Sequence, residues 1–309
     1  IWSYEGGELN DSVPSNIRTL DIDRDGSIDR LYFGDLGGNV WRVDLNVDNV
    51  DNDASVHDVE NDARIYKFAA LGANTGSDTR KFFYEPDVSL FKHQGKFVSL
   101  VAIGSGYRSH PNNINIQDRL FVLYDENARN VPETIPQPIT DSDLASSSAL
   151  AGNSFLPNHK GWYKDLVNGK GEKSLSTPLV FQNQVIFTTF GLANTPISSG
   201  GVGSCTTQSN NFARAYTLDF MTGSATADLD GDGVVTDKDE SIIVGYGEIP
   251  DSPKFVFNEP SNCDNDGCDH NIDIRVGKME KPLIDKDTVG GNNNLGDYLP
   301  KVFWINPEE

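Results

Sequence analysis

The 309-residue chain is poor in cysteine, methionine and histidine, and it holds little positive charge. Its three cysteines, Cys205, Cys263 and Cys268, form no CxxC pair, which excludes the usual zinc and dithiol-redox spacings. The five histidines are dispersed at positions 57, 93, 110, 159 and 270, with no HxxxH or HxH pair to hold a metal or activate a nucleophile. Apolar runs such as residues 97–103 fall far short of the roughly 20 residues that a membrane-spanning helix needs. Only 25 basic residues face 46 acidic ones, a net charge of −21. A field of that sign repels nucleic acid and anionic membranes and attracts cations. Gly104-Ser105-Gly106 is only part of a nucleophile elbow, and neither a P-loop nor a complete GxGxxG fingerprint occurs.

Enough apolar side chains are present for a packed core, and 29 glycines with 15 prolines among scattered Asn and Asp imply many turns between short strands. The spacing predicts hairpins over 31–35 and 40–45, 87–91 and 96–103, and 177–181 and 184–190. Further strands are expected at 119–124, 213–220, 255–257, 271–276 and 301–305. Helical patterning is scarce, its best instance being 140–151, which reads equally as a Ser-rich loop. Residues 46–61 read as an exposed acidic loop and 290–296 as a polar, flexible one. Several strands end in an aromatic residue followed closely by Asp, as in Trp41-Arg-Val-Asp44, Phe121-Val-Leu-Tyr-Asp125 and Tyr216-Thr-Leu-Asp219. An outward strand closed by Asp and a small turn is a unit that β-propeller blades repeat.

Two acidic loops point to chemistry. In the first, Asp21, Asp23, Asp25 and Asp29 alternate along a tight loop, with Gly26 at its sharp turn and Ser27 placed to offer its carbonyl. Hard cations such as Ca²⁺ take six to eight oxygens at about 2.3–2.6 Å, and alternate carboxylates supply them from one side. Position 32 is Tyr where an EF-hand has its closing Glu, so the loop leads into a strand. In the second, Asp228, Asp230, Asp232, Thr236 and Asp239 occupy positions 1, 3, 5, 9 and 12 of an EF-hand-like loop, with Gly233 at position 6 and Val234 offering its carbonyl. With extracellular-type affinities of about 10⁻⁴–10⁻³ M and roughly 1 mM calcium, each site stabilises by on the order of 0.4–1.4 kcal/mol. A third cluster, Asp264, Asp266 and Asp269, lies between and beside Cys263 and Cys268 and reads as a disulfide-pinned turn. Three cysteine pairings are possible and sequence does not choose among them.

The first loop followed by Tyr32-Phe-Gly-Asp-Leu-Gly-Gly-Asn-Val-Trp-Arg-Val-Asp-Leu45 resembles the signature of PilY-type proteins, the tip-associated adhesins of type IV pili. The resemblance continues through Ala102-Ile-Gly-Ser-Gly-Tyr-Arg-Ser-His-Pro111, Gly161-Trp-Tyr-Lys-Asp-Leu166, Val185-Ile-Phe-Thr-Thr-Phe190, Arg214-Ala-Tyr-Thr-Leu-Asp219 and Val302-Phe-Trp304. It implies an all-β fold: a modified β-propeller with irregular blades, long loops and EF-hand-like calcium loops. One such domain over 1–309 is expected, the C-terminal part of a longer secreted protein. By position, Asp21, Asp23, Asp25 and Asp29, with the Ser27 carbonyl, are then the family's calcium ligands; the second loop rests on its spacing.

The resemblance further implies a non-enzymatic, calcium-binding domain at the pilus tip or outer cell surface, exported through the periplasm. Its role would be to regulate pilus extension and retraction and to support adhesion and twitching motility. Expected partners are minor pilins, the pilus assembly machinery and host or abiotic surface ligands. Two departures stand out: no Arg-Gly-Asp motif occurs, and the variable N-terminal region that such proteins carry is not in this sequence. Two other readings remain. A quinoprotein dehydrogenase would also have propeller strands ending like Asp219-Phe-Met-Thr-Gly223, although the tryptophan-docking repeat and the adjacent cysteine pair are missing. A carbohydrate-binding cell-surface propeller is the third.

Overall fold

Segments whose apolar side chains alternate, or run unbroken where both faces are covered, become strands. The computed structural model describes residues 8–45, 63–73, 75–93, 95–147, 159–198, 208–257, 261–264, 267–269 and 272–276. Over these residues the chain is all-β, with three short 3-10 turns. None of their helices is long and apolar enough to cross a membrane.

The first sheet is an antiparallel meander of β1 (Arg18–Leu20), β2 (Arg30–Gly34), β3 (Asn39–Asp44) and β4 (Arg64–Ala70). The second contains β5 (Asp87–His93), β6 (Lys96–Gly104), β7 (Arg119–Asp125), β8 (Ala145–Ser146) and β9 (Gly161–Asp165) in the order β5-β6-β7-β9-β8. Only its β8–β9 pair is parallel. The third contains β10 (Lys170–Ser174), β11 (Leu179–Phe181), β12 (Gln184–Ser198), β13 (Gln208–Asp219) and β14 (Ser241–Tyr246). Its order is β10-β12-β13-β14, with β11 also paired to β12. Beyond it, β15 (Lys254–Phe257) pairs with β18 (Ile272–Arg275), and β16 (Ser261–Asp264) with β17 (Gly267–Asp269), where Cys263 and Cys268 are backbone partners.

Turn chemistry sets the register of the first hairpin. The Asp35 carboxylate accepts from the N–H groups of Gly37 and Asn39, both at 2.9 Å, and from Trp41 Nε1 at 2.7 Å. Phe33 therefore lies opposite Trp41.

The sheets are layered, and alternation along each strand decides which layer a residue joins. In the second sheet, Val101, Ile103, Phe121 and Leu123 pack with Tyr32, Val40 and Phe68 of the first. The intervening Leu100, Ala102, Leu120, Val122 and Trp162 pack with Val185, Phe187, Tyr216 and Leu218 of the third. The third sheet's other face, through Ile186 and Ala215, meets Ile274, Val276 and Phe255. Being covered on both faces, β6 and β7 read as unbroken apolar runs. Near the layer edges, β1, β5, β11 and β15 line a cavity of about 350 Å³. There Asp87 pairs with Arg18 of the first sheet and accepts from the Val180 N–H of the third at 2.7 Å.

The strands expected at 119–124, 213–220, 255–257 and 271–276, and the three hairpins, are present; most ends shift by one or two residues, but β12 runs on to Ser198 and β13 begins already at Gln208. Of the stretch 140–151, residues 140–147 are described: a 3-10 turn capped by Thr140 leads into β8, and helix begins at Ser147, while 148–151 lie outside the described residues. Eight strands escaped the pattern: β1, β4, β8, β9, β10, β14, β16 and β17. In β10, Glu172, Lys173 and Ser174 are buried polar residues that alternation of apolar types cannot reveal. The strands fall into separate sheets, so the described residues form no closed barrel. Cys205, the loops at 46–61 and 290–296 and the strand at 301–305 lie outside the described residues.

Candidate metal centres

Each acidic loop joins consecutive strands of one sheet. The first links β1 to β2, and the Asp29 N–H donates to the Leu20 carbonyl at 2.8 Å to close its base. The second links β13 to β14 and ends in a 3-10 turn over Asp237–Glu240.

Within the first loop, Asp21 accepts from the N–H groups of Arg24 at 2.6 Å and Gly26 at 3.0 Å. Asp23 accepts from Asp25 N–H at 3.1 Å, and Asp25 from Ser27 N–H at 2.7 Å. Asp29 accepts from Ile22 at 2.5 Å and Asp23 at 3.4 Å. The second loop repeats this pattern. Asp228 accepts from Gly231 and Gly233, both at 2.7 Å, Asp230 from Asp232 at 3.1 Å, and Asp232 from Val234 at 2.9 Å. Asp239 accepts from Leu229 at 3.0 Å and Asp230 at 3.1 Å. Left-handed backbone recurs at the same two places: Arg24 and Gly26 have φ of 68° and 92°, Gly231 and Gly233 of 80° and 87°.

The hydrogen bonds equate Asp29 with Asp239, although counting along the two loops aligns Asp29 with Thr236. Three extra residues in the second loop form a turn in which the Thr236 N–H donates to Asp239 Oδ2 at 2.8 Å. The Thr236 hydroxyl lies 3.1 Å from that same oxygen and also accepts from Lys238 N–H. Thr236 thus serves the closing aspartate. The buried Asp239 carboxyl is held below the ordinary range, first by the Thr236 N–H, with the Asp230 and Leu229 N–H groups adding to it against the effect of burial.

The structure brings one carboxylate oxygen from each of Asp21, Asp23 and Asp25 within 4.8 Å of one another, and the same is true of Asp228, Asp230 and Asp232. Such groupings repel unless a cation sits among them. Asp29 and Asp239 are not in these groupings; each closes its loop through the N–H groups of the loop's second and third residues. The exposed Val234 donates its N–H within the loop, as does Ser27. All the donors are hard oxygens on short side chains, the set that suits Ca²⁺. A carboxylate oxygen that accepts one N–H keeps a second lone pair for an ion.

A third polar cluster was not apparent from the sequence. Ser105 is fully buried; its hydroxyl donates to Asp118 Oδ1 at 2.7 Å and accepts from the Arg119 N–H at 2.9 Å. Burial pushes the Asp118 carboxyl up to about 6, against the pull of Ser105, Lys173 and Arg80. Lys173 Nζ, itself buried, donates to the carbonyls of Pro111 and Asn113 at 2.9 Å and of Gly171. The Gly104-Ser105-Gly106 turn is therefore part of a packed polar core, with its serine hydroxyl already engaged.

Comparison with known proteins gives two findings. Over 234 residues, 68% of this chain, the sequence is 25% identical to a protein of Xylella fastidiosa described as a type IV pilus biogenesis factor, a PilY1 homolog. The match spans 14% of that relative's length. The structure resembles the crystal structure of the C-terminal domain of Pseudomonas aeruginosa PilY1 with a TM-score of 0.51. That alignment covers 85% of this chain and 58% of the other, at 19% identity, and so speaks to the fold. No model of a known protein family matches the chain.

Proposed function

We propose that the chain is of the PilY type, as its similarity to a PilY1 homolog and to the fold of a PilY1 C-terminal domain supports, and that it is a calcium-binding, non-enzymatic domain of a type IV pilus biogenesis factor. It acts at the pilus tip or outer cell surface, where it binds minor pilins or the assembly machinery and supports adhesion and twitching. Calcium occupies both loops. Asp21, Asp23 and Asp25 hold one ion, with Asp29 and the Ser27 carbonyl completing the cage. Asp228, Asp230 and Asp232 hold the other, with the Val234 carbonyl, Thr236 and Asp239. Calcium neutralises each triad and lets the loop stay curled, and the ordered loops bias pilus extension against retraction.

The observation that carries this reading is the matching hydrogen-bond pattern of two loops of different length in different sheets. Chance Asp-rich turns have no reason to agree donor by donor. The separate sheets are read as blades of a modified propeller. In support, the leading strands β1, β5 and β15, together with β11, line one common cavity.

The test is calorimetric titration of chelator-stripped protein with Ca²⁺, with Asp23→Ala and Asp230→Ala alongside. Two sites, each lost with its own variant, are expected, followed by calcium-dependent capture of a purified minor pilin. Absence of binding heat together with an unchanged melting temperature would sink the calcium reading.

A further inference from the structure

We propose that each acidic loop is a latch that sets the packing of its own sheet on the second sheet, so that loading either loop tightens an inter-sheet contact. This rests on the calcium reading above and concerns what the bound ion controls.

The geometry is shared by the two loops. In each, the residue immediately after the closing aspartate reaches across to the second sheet. Arg30 follows Asp29. Its buried guanidinium donates to Asp44 Oδ1 at 2.6 Å and to the carbonyls of Ala128 at 2.7 Å, Asn127 at 3.1 Å and Asn130 at 3.3 Å. Those carbonyls belong to the turn that leaves β7 of the second sheet. Glu240 follows Asp239, and its Oε2 lies 2.6 Å from Lys164 Nζ on β9 of the same sheet.

Loop and contact are joined by one peptide unit. The closing aspartate is held by N–H groups two and three residues into its loop, so its position follows that of the triad. The next residue begins β2 in one case and directly precedes β14 in the other, where the backbone allows it little independent movement. An empty triad, repelling itself, loosens the closing aspartate and with it the bridging side chain. A loaded triad holds both. The two bridges have opposite charge, Arg30 a cation and Glu240 an anion. A general change in the field of a chain of net charge −21 would therefore affect them in opposite senses. A mechanical latch moves both in the same sense.

Hydrogen exchange read by mass spectrometry on the full chain, with Ca²⁺ or with chelator, tests this. At calcium about ten times the dissociation constant, exchange should slow roughly tenfold where opening requires release of the ion. The slowing is expected in the loops and also in residues 126–130 and 159–166. Asp23→Ala should remove the change at 126–130 alone, and Asp230→Ala the change at 159–166 alone. Glu240→Gln, a mild change outside the ligand set, should keep calcium binding in the second loop yet lose the response at 159–166. If calcium protects the loops and leaves 126–130 and 159–166 unmoved, the latch is wrong and the calcium reading stands. A response at 159–166 that persists in Glu240→Gln also overturns the latch. No change anywhere removes both.

Discussion

Arg42 on β3 and Asp125 at the end of β7 face each other 2.5 Å apart, with side chains 0% and 3% exposed, and join the first sheet to the second by a buried ion pair. Arg42 also holds Asp44 on its own strand at 2.8 Å, and Asp44 is shared with Arg30. The Tyr32 hydroxyl donates to Asp125 as well. Removing Asp125 leaves the buried Arg42 only Asp44, already shared with Arg30, and the Asn130 carbonyl. Asp125→Leu should therefore lower stability by about 3–5 kcal/mol. The double variant Arg42→Met, Asp125→Leu should be less destabilised than the sum of its singles, because a hydrophobic replacement of both leaves less unpaired. Urea denaturation of the four proteins measures this. Strictly additive losses would mean that the two residues do not act as a pair.

The carboxyl of Asp118 supplies a pH dependence of defined sign. Burial raises it from 3.8 to about 6, so the folded state binds this proton more tightly than the unfolded state. Its contribution to stability is fully present below pH 3.8 and is lost as pH rises through about 6. Over that window the loss amounts to about 3 kcal/mol at most. Asp118→Asn cannot ionise, so its stability relative to the parent should climb between pH 4 and 7 and then level off. A flat difference across that range would show that Asp118 ionises normally in the folded protein.

Backbone handedness predicts opposite effects at two neighbouring positions of the first loop. Gly26 has φ +92°, and an added Cβ would meet nothing within 4 Å. Gly26→Ala therefore acts through the backbone alone, at about 1–2 kcal/mol, which is roughly tenfold in calcium affinity. Arg24 adopts the same hand, with φ 68°, where the second loop has Gly231. Arg24→Gly should strengthen the first site by several-fold (about 1 kcal/mol). Calorimetry on the two variants checks both signs at once.

Asp35 offers a test of the first hairpin. Its enclosed carboxylate serves three donors, Gly37 N–H, Asn39 N–H and Trp41 Nε1, and the Asn39 amide besides. Asp35→Ala leaves the buried Trp41 Nε1 and the part-buried Gly37 and Asn39 donors without this acceptor and should cost about 3 kcal/mol. Asp35→Asn keeps one acceptor oxygen and should cost clearly less. Equal losses in thermal melts would show that the Asp35 carboxylate does not set this turn.

The sequence by itself determined the local parts. Alternating or unbroken apolar runs marked β2, β3, β5, β6, β7, β12 and β13, because the faces of a strand report which side is covered. The Asp spacing with glycine at the turn located both loops, since the hydrogen bonds that Asp21 and Asp228 accept within them span only three to five residues. Only the tertiary structure decided the rest. It equated Asp29 with Asp239 through shared donors, where counting had aligned Asp29 with Thr236. It placed Lys173 and Glu172 of a polar strand in the interior. It paired Arg42 with Asp125, 83 residues further along the chain. Such partners are chosen by how the sheets stack, and the stacking of two sheets leaves no spacing in the sequence of either one.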